Sequence, residues 1–159
     1  MKKILSILLI CLCLVFTISG CSSTNDNDNG AKTHKAYTFS VDTGDKIRIE
    51  LDTTGGYDIT SDLPFEVSQN GSALSQGIFI KADQFESYVD VVNSDDNARL
   101  IKSDTKDSNQ YIFWSYNDTE YNIAVLINDS NTGILLGNAV SEDSAKECFE
   151  RLTISIAEE

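Results

Sequence analysis

The sequence is short of the residues that usually carry chemistry. It holds one histidine, His34, one tryptophan, Trp114, and one proline, Pro64. A Ser-His-Asp or Cys-His arrangement needs an imidazole held within hydrogen-bond reach of its nucleophile. His34 falls in a polar stretch that reads as tether, with no scaffold to hold it there. The same shortage of His and Cys ligands disfavours zinc. No basic cluster is present and the formal charge is -13. This argues against nucleic acid and against adsorption to anionic lipid. Gly133 to Gly137 (GILLG) lacks the Lys-Ser/Thr of a phosphate loop and has the spacing of a strand. There is no internal repeat.

A long hydrophobic run occurs once. After Met1-Lys2-Lys3, residues 4 to 17 (ILSILLICLCLVFT) carry no charge. A basic start and an apolar run are the layout of a signal peptide. The run is shorter than the roughly 20 residues that span a bilayer. Ile18, Ser19, Gly20 and Cys21 follow it, then Ser22 and Ser23. This ending resembles the lipobox of bacterial lipoproteins, with Ile18 where leucine is usual. The resemblance covers residues 1 to 23. It implies that Cys21 receives a diacylglyceryl thioether and that a lipoprotein signal peptidase cuts before it. A secreted protein with a small-residue cleavage site, or an uncleaved anchor, is the plainer alternative. The lipobox reading predicts residues 1–20 as a cleaved signal peptide, 21–34 as a lipidated cysteine and flexible tether, and 35–159 as one globular domain. Two or three acyl chains on one cysteine would hold that domain at the extracytoplasmic face of the cell membrane.

Cleavage would change two counts. Loss of Lys2 and Lys3 takes the formal charge from -13 to -15. Of four cysteines, Cys11 and Cys13 would leave and Cys21 would be lipidated. Cys148 would then stand alone, with no intramolecular bridge possible. Residues 22–34 (SSTNDNDNGAKTH) contain no large apolar side chain and cannot build a core. The domain must be stable through its core.

Residues 36–41 and 46–52 alternate, with Ile47, Ile49 and Leu51 inward, and read as a β-hairpin. Tyr57 to Ile59 is a short strand candidate. Pro64 opens the next element, and Asn70-Gly71 is a hairpin turn between Phe65–Gln69 and Ala73–Lys81. From Asp83 to Val92 the period changes. Phe85, Tyr88, Val89 and Val92 form the stripe of an amphipathic helix. Ala98 to Ser103 is a strand candidate, followed by a polar loop over Asp104 to Asn109. Gln110–Tyr116, Tyr121–Ile127 and Gly133–Ala139 are apolar on both faces, so that both faces of this part of the sheet are expected to be covered. Ser141 is a good N-cap, with Glu142 and Asp143 in the first turn. Ala145, Cys148, Phe149 and Leu152 make a second helical stripe. Thr153 to Ile156 extends it or forms a last strand. The fold class expected is α+β, a mostly antiparallel sheet with two amphipathic helices packed on it. A β-sandwich with helical insertions is the alternative. The element order over residues 35 to 156 is similar to that of the PsbP-like α/β/α domains found in some bacterial lipoproteins.

Cys148 lies on an apolar stripe, where a thiol is ordinarily an inert core group. Glu86 and Asp90, or Asp58, Asp62 and Glu66, would serve a carboxylate-based hydrolase only if two of them faced each other across a cleft. Otherwise they are a solvated acidic surface. Asn25 to Gly30 (NDNDNG) opens like an EF-hand loop, but Ala36 falls where the bidentate Glu is required. Weak calcium binding at Asp95-Asp96 or Asn128-Asp129 is left open. The sequons at Asn70, Asn117 and Asn128 read as polar turns. No cofactor or metal is expected. Trp114, Tyr116 and Tyr121 are the candidates for lining a ligand pocket. The functional expectation is a non-enzymatic lipoprotein that binds an envelope protein, a peptide or a ligand, with its oligomeric state open. A hydrolase and a structural envelope component are the alternatives.

Overall fold

The computed structural model describes residues 33–158. The expected lipobox, Cys21 and most of the expected tether lie outside the described residues. In chain order the elements are β1 (His34–Ser40), β2 (Lys46–Asp52), β3 (Tyr57–Ile59), β4 (Phe65–Gln69), β5 (Ser72–Lys81), α1 (Ala82–Ser94), β6 (Ala98–Lys106), β7 (Asn109–Tyr116), β8 (Glu120–Leu126), β9 (Thr132–Asn138), α2 (Glu142–Glu150) and β10 (Leu152–Ile156). The fold is α+β. One sheet has the order β3-β4-β5-β9-β8-β7-β6 and a smaller one the order β1-β2-β10. Every pairing is antiparallel.

Local chemistry explains most of these elements. Asn70 and Gly71 both take positive φ, 50° and 81°, which suits the two-residue hairpin turn joining β4 to β5. Ser141 caps α2 by accepting from the Ser144 N–H at 3.0 Å. Gln84 caps α1 by accepting from the Lys81 N–H at 2.9 Å.

Register then sorts the side chains by face. Ile112, Ala124 and Leu135 stand opposite one another along one row of the large sheet. They share a cluster with Trp114 and with Phe85 and Val92 of α1. On the other face, Phe113, Ile123 and Leu136 form one row, and Tyr111, Val125 and Ile134 the next. These join Ile47, Ile49 and Leu51 of the small sheet and Ala145, Cys148 and Phe149 of α2 in the main core. The layers are thus α1, the large sheet, and then the small sheet beside α2. The two-sided apolar strands lie in the middle layer, as their pattern requires.

Three boundaries differ from expectation. The polar loop over Asp104–Asn109 is mostly strand. β6 runs to Lys106, and Asp107 and Ser108 form the turn with φ 51° and 69°. A bulge at Ile101 shifts the register between Leu100 and Lys102, which breaks the alternation that would have revealed the strand. Leu152 is not on the second helix. It opens β10 and pairs with Leu51. His34 is not in a tether but is the first residue of β1, opposite Asp52.

Two features fix the small sheet on the large one. Phe65 is fully buried and its ring fills the space over Gly77, where an added Cβ would lie 2.1 Å from the Phe65 Cζ. The rings of Phe39 in β1 and Phe79 in β5 stand 6.0 and 6.2 Å from it. At the sheet's end, the Asp45 carboxylate in the β1–β2 turn reaches across to the start of β9. Its Oδ2 accepts from Ser130 Oγ at 2.6 Å, Thr132 Oγ1 at 2.8 Å and the Asn131 N–H at 3.0 Å. Thr43 Oγ1 donates to it at 3.3 Å.

Gly77→Ala should destabilise the fold by about 1–3 kcal/mol through overpacking against Phe65. Denaturant unfolding will show this as a lower midpoint with an unchanged slope, and an unchanged midpoint would contradict it. Hydrogen bonds from Ser130 and Thr132 hold the Asp45 pKa below its ordinary value of 3.8. Its contribution is therefore complete above that value and is lost as pH falls through the folded-state pKa. Asp45→Asn should lower the melting temperature at neutral pH, and the gap from wild type should begin to narrow below about pH 4 and go on narrowing as pH falls through the lower folded-state pKa. A gap that persists unchanged into stronger acid would rule this latch out.

Candidate functional site

The three aromatic candidates do not converge. Trp114 is 5% exposed. Its ring lies 5.8 Å from that of Tyr88 on α1. It is core, not pocket wall. Tyr116 shares its face of the sheet with Trp114. Tyr121 stands on the opposite face, packed against the main core, and its hydroxyl donates to the Asp118 carbonyl at 3.1 Å. Side chains on opposite faces of one sheet cannot line one pocket.

Chemistry-bearing side chains are similarly engaged. Cys148 is 2% exposed, and burial pushes its thiol up from its ordinary pKa. This leaves it mostly protonated and unreactive at neutral pH. Around it, Ser75, Tyr121, Asn138 and Phe149 enclose a space too small for one water molecule. Asp58 is tied to Lys35 at 2.7 Å, a bond that lowers its pKa. Glu86 and Asp90 lie on the exposed face of α1. In the acidic turns the carboxylates serve the turn itself. Asp95 Oδ1 accepts from the N–H and the side-chain amide of Asn97 at 2.8 and 3.0 Å. Asp129 accepts from the Asn128 amide at 2.7 Å. Among the described residues no three His, Cys, Asp or Glu side chains gather closely enough to hold a metal ion.

An open groove of about 690 Å³ lies elsewhere, where β1, the end of β2 and α2 meet. His34, Asp52, Lys146, Glu147, Glu150 and Arg151 rim it. Arg151 is its organising residue. Nη1 donates to the Thr54 carbonyl at 3.0 Å and to Thr54 Oγ1 at 3.1 Å. Nη2 donates to Glu147 Oε1 at 3.1 Å, and Asp52 is 3.6 Å from Nη1. The guanidinium carbon lies 4.1 Å from the centre of the Tyr57 ring. Arg151 Nε is buried with no hydrogen-bond partner among the described residues. The negative face of the Tyr57 ring is the neighbour that compensates the cation. Burial and the neighbouring Glu147 carboxylate push the Tyr57 hydroxyl up.

Arg151 thus works as a clamp between the C-terminus of α2 and the turn after β2. On the rest of the rim, Lys146 and Glu150 are exposed and only loosely paired at 3.8 Å. Such a rim can take up polar or zwitterionic groups by hydrogen bonding. Sequence reasoning placed His34 in a tether and gave Arg151 no role. The residues meet from positions 34, 52 and 151, a separation that no local pattern reports. Comparison with family models finds no match for this chain, and comparison with curated proteins finds none.

Arg151→Lys keeps the charge but loses the fork that spans Thr54 and Glu147. It should destabilise the fold by about 1.5–3 kcal/mol, the range for hydrogen bonds to a charged group. Chemical denaturation will measure this, and wild-type stability in the variant would show that the clamp is idle.

Proposed function

We propose that the chain is an extracytoplasmic lipoprotein, anchored through Cys21, whose domain acts by binding and not by catalysis. The observation that carries the binding half is the open groove. It is wide and rimmed by hydrogen-bonding groups of both charges, while the aromatic side chains are committed to packing. Its expected ligand is polar, a peptide or a small zwitterion of the cell envelope. The reading of a non-enzymatic domain is supported by the state of the reactive groups. Cys148 is buried and protonated, and Asp58 is neutralised by Lys35. The anchoring half rests on the order of basic residues, apolar run and lipobox over residues 1–23.

Mass spectrometry of the native N-terminus tests the anchor. The expected product begins at Cys21 and carries the mass of a diacylglyceryl group with or without a further acyl chain. An unmodified chain, or one cut elsewhere, would overturn the assignment.

A further inference from the structure

Each sheet has two outer edges, and an outer strand presents N–H and C=O groups that a further strand can take up. Three of the four edges here are closed. Arg151 and Ala157 bond to β2, so β10 turns the carbonyls of Leu152 and Ile154 outward. Lys106 Nζ donates to the first, and Asn109 Nδ2 donates to the second at 2.9 Å. β6 is broken by its bulge at Ile101, a device that discourages pairing. β3 has only three residues.

β1 has no such guard. The Thr33 carbonyl accepts from Thr53 N–H, and Val41 N–H donates to the Asp45 carbonyl. The odd-numbered residues of β1 therefore bond to β2, and the backbone groups of His34, Ala36, Thr38 and Ser40 face outward. No group of the described residues bonds to them. The strand has seven residues, no proline and an unbroken register with β2. His34, Thr38 and Ser40 are exposed. The charge on its inner face, Lys35, is neutralised by Asp58.

We propose that β1 pairs antiparallel with β1 of a second copy of this chain, joining two small sheets into one of six strands. A two-fold axis at Tyr37 sets Ala36 against the partner's Thr38 and His34 against the partner's Ser40. All four positions turn their N–H and C=O groups outward, so each closes a bonded pair. The strand fits itself without any change of register. Charge favours the same approach. On the solvent face beside β1, Lys46 and Arg48 balance Glu50 and Asp52. The chain, formally -13, can therefore meet its copy along a strip whose own charges balance, which limits repulsion there. One seven-residue edge lies at the small end of interfaces, below about 1,200 Å², so the dimer is weak and forms where copies are concentrated. The inference goes beyond the proposed anchoring and does not require it.

Sedimentation of the full-length chain in detergent micelles, over a wide concentration range, tests the pairing. Wild type should show a monomer–dimer equilibrium. Ala36→Pro removes an outward N–H and leaves the bonds to β2 intact, a placement that edge strands tolerate. Thr38→Lys adds a like charge beside the axis in each copy. Either change should weaken association by about tenfold or more, which corresponds to about 1.4 kcal/mol. Near-ultraviolet circular dichroism verifies that the variants fold, and Thr38→Lys alone decides if Ala36→Pro does not. A wild-type chain that stays monomeric at every concentration overturns the proposal. So does a dimer of undiminished strength in the folded variants, which would place the interface elsewhere. Pairing of β1 with a different protein while the chain itself stays monomeric overturns it too.

Discussion

The inward row of β2 is the constraint on which the rest of the domain depends. Ile47, Ile49 and Leu51 have no exposed surface. Burying each such side chain contributes about 1.5–3 kcal/mol. β2 is the middle strand of the small sheet, so this one row closes the main core and seats β1 and β10 on either side. The first and last described strands of the chain are brought together through it. Cys148 is a free thiol, so the attachment among the described residues rests on burial and hydrogen bonding.

Polar side chains then set where the buried layers stop. The Asp45 carboxylate holds one end of the small sheet to the start of β9. The Arg151 guanidinium holds the other end between Thr54 and Glu147. Along the side, Lys106 and Asn109 take up the outward carbonyls of β10. Each joins a charged or amide side chain to a backbone, hydroxyl or carboxylate partner. Such bonds add modest net stability and strong geometric selection, because an unpaired partner would remain costly. The groove is a product of the second latch, since Arg151 fixes α2 against the turn after β2 and leaves the rim between them open.

Much of the fold was legible because it rests on local chemistry. Asn70-Gly71 names its turn through positive φ, Ser141 names the start of α2, and the two-sided apolar pattern of Tyr111–Tyr116 places β7 in a middle layer. The misread segments each have a local cause. At Ile101 a bulge interrupts the period, and at Leu152 a helical stripe and a strand coincide in a residue that fits both. His34 looked like tether because a single strand residue among polar neighbours carries no period. The site was less legible than the fold. Trp114, Tyr116 and Tyr121 were attractive as a group because aromatic residues often line pockets, yet alternation along β7 and burial under α1 assign Trp114 to a core.

The sequence by itself determined both helices and most of the strands, and which of their faces are buried. Both follow from periodicity, capping and turn residues within a few positions of each other. Only the tertiary structure decided that β10 returns to β2, that β9 lies between β5 and β8, and that Arg151 clamps Thr54. These are pairings across separations of up to about a hundred residues, selected by which apolar faces fit together, and no local propensity encodes such a choice.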